Sequence, residues 1–168
     1  MADRRRLPVI QEPSTPPPGD EDVRPPWHWV GFGTVAIFAC WLVLATIAGA
    51  LVRRALVPYL GAGELTPQDI AARVAAMSSE ERTRVIAIQM VPHAFALAVA
   101  SFAGGFLVGR FGTGTGAREG AASGAATAIV ATLLAWREGG VSWASAVTVV
   151  IAVAFAAWGG RFGAARKA

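Results

Sequence analysis

Residues 30–52 read VGFGTVAIFACWLVLATIAGALV, 23 positions without one charged side chain. As a helix rising 1.5 Å per residue the stretch is about 35 Å long, against a hydrocarbon core near 30 Å. Trp27 and Trp29 flank its start, and Arg53 and Arg54 close it. Amphipathic and cationic side chains of this kind settle at headgroup depth, so the stretch predicts a membrane span. A cleaved signal peptide is the rival reading, because Ala48-Gly49-Ala50 has the small-x-small form of a cleavage site. The apolar run ahead of that site exceeds the usual length of about 7–15 residues, and the preceding chain is long, acidic and proline-rich. An uncleaved anchor is therefore expected.

Outward from this span the same reasoning applies three more times. Val85 to Gly109 is 25 residues without Asp, Glu, Lys or Arg, ending at Arg110. Pro92 inside it should kink the helix or loosen a turn, which neighbouring helices make tolerable in a membrane. Gly120 to Trp136 has 17 uncharged residues, rich in Ala and Gly, between Glu119 and Arg137. At about 25 Å this third segment barely crosses. Gly139 to Gly160 adds 22 uncharged residues closed by Arg161, with Trp143 and Trp158 near its ends, and Arg137-Glu138-Gly139-Gly140 reads as a tight hairpin before it. The expected fold class is all-α, an integral membrane bundle of about four transmembrane helices (30–52, 85–109, 120–136 and 139–160). It forms a membrane domain over 27–168, preceded by a disordered tail over 1–26. That tail runs through Pro16-Pro17-Pro18 and Asp20-Glu21-Asp22 and has nothing with which to build a core.

The one sizeable loop carries two local signals. Thr66-Pro67-Gln68-Asp69 combines a capping residue, proline at the first helical position and an acid in the first turn. With Ile70, Val74 and Met77 on one face it predicts an interfacial helix over about 66–77. Ser78-Ser79-Glu80-Glu81 is a capping box that restarts a helix leading into the second long run.

Charge is scarce and clustered: 54% of the 168 residues are hydrophobic and 15% charged. The basic excess could serve nucleic-acid binding, but no basic face with interleaved aromatics accompanies it, so no nucleic-acid partner is expected. The charges read better as orienting the spans. With the amino terminus inside, nine Lys and Arg lie in the cytoplasm against six outside, which favours both termini inside. The use of 14 Arg to one Lys, with many Ala and Gly, is associated with GC-rich bacterial genomes.

Chemistry has few footholds. Cys40 is the single cysteine, inside an apolar run, and reads as a packing residue; with two histidines 65 positions apart it gives no metal-ligand spacing. Gly112, Gly114 and Gly116 lack the Lys-Ser/Thr pair and preceding strand of a phosphate loop. Gln89 and His93 form the one strongly polar cluster within a span and are the candidate polar site. No catalytic constellation, cofactor site or metal site is expected.

Small residues recur every fourth position in three sets: Ser101, Gly105 and Gly109; Gly120, Gly124, Ala128 and Thr132; Ala144, Thr148, Ala152, Ala156 and Gly160. Each set lines one helix face and lets backbones approach, so these are the candidate packing residues. Gly105 and Gly109 are expected to face Gly120 and Gly124 across a helix hairpin, with Val108 turned to lipid. The stretch Gly104-Gly105-Phe106-Leu107-Val108-Gly109-Arg110, followed by Gly116, Gly120 and Gly124, resembles the glycine-rich hairpin of small uncharacterised bacterial four-span membrane proteins. That resemblance, over about residues 104–124, implies the inner membrane and four spans and brings no activity with it. The function expected is that of a non-enzymatic membrane protein acting through helix packing, as an accessory subunit or small oligomer. Its partners are the lipid bilayer and other membrane helices or further copies of itself. The alternative is a small transporter or channel component with a path lined by Gln89 and His93.

Overall fold

A computed structural model of the chain describes residues 27–61, 63, 66–112, 116–138 and 143–166. The proline-rich stretch over 1–26 and the hairpin glycines Gly139 and Gly140 lie outside the described residues. Five helices follow in order: α1 (Trp27–Leu60), α2 (Pro67–Ala76), α3 (Ser79–Phe111), α4 (Ala117–Glu138) and α5 (Trp143–Ala164), with no strand among the described residues. Three are long and apolar enough to cross a membrane: α1, α3 and residues Ser145–Ala164 of α5. The 22 residues of α4 include Arg118, Glu119, Arg137 and Glu138, and it does not join them.

Every long helix overruns the uncharged run from which it is read. At 34 and 33 residues, α1 and α3 extend past Arg53 and Arg54 and begin before Arg84. A charge ends the affinity of a segment for hydrocarbon, but the backbone ladder continues into the headgroups, where Arg is solvated. α3 also runs unbroken through Pro92.

α2 starts where local chemistry dictates. Asp69 N–H donates to Thr66 Oγ1 (3.2 Å), while the Thr66 N–H and hydroxyl both donate to Asp69 Oδ2 (3.1 and 2.6 Å). Ser78 and Glu81 repeat the same reciprocal box at the head of α3. The chain turns between α1 and α2 at Gly61, whose φ of +83° few other residues adopt. Arg73 reaches back from α2 to donate to the Leu60 carbonyl, satisfying one of the orphan acceptors at the end of α1.

The distribution of side-chain size is inverted relative to a water-soluble bundle. Ala48, Ala96, Ala100, Ala128, Ala152 and Ala156 are buried, and Ile37 and Val108 are the largest fully buried side chains. Val35, Leu42, Val43, Ile47, Phe95, Leu133 and Val150 point outward. Water would penalise such a surface heavily, whereas lipid tails solvate it at no cost and leave close packing of small residues to hold the helices together. Trp27 and Trp158 at one end, and Trp136 and Trp143 at the other, are exposed as interfacial anchors.

Candidate functional site

The bundle has a tight end and an open end. At the tight end the start of α1, the end of α3, the start of α4 and the end of α5 converge. α5 makes its most extensive contacts with α3 and α4, and α3 also packs broadly on α1. A β-carbon built on Gly124 of α4 would lie 2.5 Å from the Ala152 carbonyl oxygen. On Gly120 it would be closer still to Ala156 O. Gly105 and Gly109 of α3 press in the same way on the carbonyls of Ala156 and Gly160. The contact is reciprocal, since Gly159 and Gly163 of α5 meet the carbonyls of Phe102 and Phe106. Ser101, Gly105, Gly109, Gly120, Gly124, Ala152, Ala156 and Gly160 are all buried.

This arrangement corrects the expected pairing. The glycines of α3 and α4 do not close chiefly on each other across the hairpin; both sets close on α5, which runs parallel to α3 and antiparallel to α4. The reason is steric, because α5 offers Ala and Gly on a face that receives both neighbours at once. Val108 is corrected as well: it is fully buried, not lipid-facing, and its side chain fills the space that a β-carbon on Gly33 would need. α3 is a central helix with two packed faces. Gly105 and Gly109 serve α5, whereas Gly104 and Val108 serve Gly33 and Ile37 of α1.

Hydroxyl groups bind α1 to α4 beside this seam. Ser123 Oγ donates between Val30 O (3.2 Å) and Glu119 O (3.0 Å), Thr34 Oγ1 lies 2.8 Å from Val30 O and 3.4 Å from Ser123 O, and Thr127 Oγ1 donates to Ser123 O at 2.9 Å. Sequence reasoning missed these residues. The signal was present, since Glu119, Ser123 and Thr127 are spaced by four and lie one position before the glycine stripe. Glu119, which brackets the third uncharged run in the sequence, sits inside α4 and is only 8% exposed. Its Oε2, Trp29 Nε1 and the hydroxyl of fully buried Ser101 have no hydrogen-bond partner among the described residues. Glu119 and Trp29 both crowd Gly112, where a β-carbon would lie 2.8 Å from Glu119 Oε2 and 3.5 Å from Trp29 Cγ.

Toward the other end the helices part. A cavity of about 410 Å³ opens between α1, α3, α4 and α5, walled by Phe38, Trp41, Met90, Leu97, Leu134 and Ile151 among others. His93 lines it, with Thr127 and Thr148 as the other polar side chains. The imidazole Nδ1 lies 2.9 Å from the Gln89 carbonyl oxygen one turn earlier. The Gln89 side chain is exposed and takes no part in the lining, so the structure joins the two polar residues through a backbone contact and not along a shared path. Among the described residues no three His, Cys, Asp or Glu side chains gather as a metal site. Comparison with protein-family models, curated proteins and solved structures finds no match to this chain.

Proposed function

We propose that the chain is a non-enzymatic, four-span protein of the bacterial inner membrane that acts through helix packing, as an accessory subunit or a small oligomer. One observation carries this reading: glycine brings α3 and α4 to backbone contact with α5, while the outer surface is left to large apolar side chains. α4 is the fourth span on this reading, its 17 uncharged residues sheltered by contacts with α5, α1 and α3 that offset its low hydrophobicity. Both termini are cytoplasmic, in keeping with nine basic residues against six. Because the small-residue faces are engaged within the chain, a partner helix would meet the outer side chains. The recess formed by Phe95, Val99, Phe102, Phe155 and Trp158 is one such place.

Extraction in native lipid followed by intact-mass measurement tests the assignment. A mass exceeding one chain by a second polypeptide, of the same or another sequence, is expected; a single chain with lipid alone contradicts it. Impermeant labelling of single cysteines, placed in a Cys40→Ala background, tests the topology. Sites at residues 139–142 should label from outside, and sites near residue 166 should not.

A further inference from the structure

The cavity at the open end is shaped for more than lipid tails. At about 410 Å³ it falls in the range of small-molecule sites, and its wall is apolar apart from a few polar side chains. With roughly 30 Å³ for each water-sized group it has room for on the order of 14 heavy atoms. The Gln89 carbonyl can only accept, so the His93 Nδ1 beside it donates, and in that tautomer Nε2 is left an acceptor. No described residue donates to Nε2. Thr127 gives its hydroxyl proton to Ser123 O and retains acceptor lone pairs. An acyl chain has no donor to offer either group. His93 also lies eight residues, about 12 Å of helix, beyond Val85, where the uncharged run begins. That is deeper than glycerol or headgroup hydroxyls rest, so the donor must sit on a body that itself dissolves in hydrocarbon.

We propose that this cavity binds a lipophilic phenol, its hydroxyl donating to His93 Nε2 and its ring lying between Phe38 and Trp41. The aromatic walls favour a flat ring over a flexible chain, since offset or edge-to-face contacts add to simple burial. A phenolic hydroxyl is a good donor that still partitions into an apolar site. Once bound, it satisfies the imidazole without any charge being buried.

The test uses the full chain in mild detergent and three probes of matched size: 4-hexylphenol, its methyl ether 4-hexylanisole, and hexylbenzene. Saturable thermal stabilisation by 4-hexylphenol is expected, with an apparent Kd about tenfold tighter than for the ether, which lacks the donor. His93→Phe should bring phenol and ether to the same affinity. Ala131→Leu, which fills the cavity from α4, should weaken all three probes together. Equal affinity of ether and phenol for the wild-type chain overturns the proposal and makes the cavity a general apolar recess. Phenol binding that survives Ala131→Leu unchanged also overturns it, by placing the ligand elsewhere. The wild-type comparison needs no variant to fold.

Discussion

The two ends of this bundle are made from the same four helices and differ in what stands between them. At the tight end, Gly105, Gly109, Gly120 and Gly124 let the backbones of α3 and α4 touch that of α5, with the rings of Phe102, Trp158 and Phe162 packed beside the seam. At the open end Phe38, Trp41, Met90, Ala94, Leu97 and Ala131 line a cavity of about 410 Å³ instead of closing on one another. Large apolar side chains are available to both halves, so hydrophobicity alone does not decide which of them closes. Closure follows from whether the residues at spacing four are small on both partners.

The sharpest way to break this contrast is to put bulk into each half. Gly105→Leu forces a side chain against the Ala156 carbonyl and should destabilise the bundle by about 3 kcal/mol, the upper part of the range for overpacking. Ala131→Leu, with similar added volume in the cavity wall, should change stability by less than about 0.5 kcal/mol. Unfolding in mild detergent, followed by tryptophan emission, compares them directly. Equal effects would mean that the ends do not differ in packing.

Removing bulk is the next test. Ile37→Ala leaves a void beside Gly104 in the α1–α3 contact. Its transfer term is small because the unfolded side chain also rests in lipid. The cavity term alone, at about 24 cal/mol per Å³, predicts a loss of about 2 kcal/mol in the same assay. Ser123→Ala should cost less, about 0.6 kcal/mol, since hydroxyl bonds between membrane helices are individually weak. A value above about 2 kcal/mol would make the hydroxyls, and not the glycines, the main tie at the tight end.

The smallest effect lies outside the membrane. Hydrogen bonds from the Thr66 side chain and backbone hold the Asp69 carboxyl below the usual aspartate value of 3.8. A group whose pKa is lowered by folding contributes fully above its unfolded value, and that contribution fades as pH falls through the folded one. α2 should therefore keep its first turn at neutral pH and fray as the medium becomes acidic below about pH 4. Asp69→Asn should shift the amide resonances of that turn at pH 7 and leave those of α5 unchanged.

Much of this fold is legible in the sequence where the governing rule is local. Uncharged runs locate α1, α3 and α5 because a chain can hardly place more than 20 such residues elsewhere, and the Thr66 and Ser78 boxes announce their helices. A spacing of four shows which residues share a face but not which helix that face meets. For this reason the spacing does not reveal α5 as the common partner of both glycine sets, nor that Val108 is buried. The charge of Glu119 marks the edge of the uncharged run but does not show that its side chain is buried inside α4. The cavity had no linear signature, since its walls come from four helices and its emptiness is a property of their divergence.

The order of synthesis gives the central position of α5 a meaning in time. α3 and α4 leave the ribosome before α5, and until residues 143–164 follow, their glycine faces have only lipid to contact. α1 and α3 can pack through Gly33, Ile37, Gly104 and Val108 before then, but the faces that serve α5 cannot close. The tight end is completed only when α5 arrives, and until then the Gly105–Gly109 face of α3 waits longer than the Gly120–Gly124 face of α4, which is made after it.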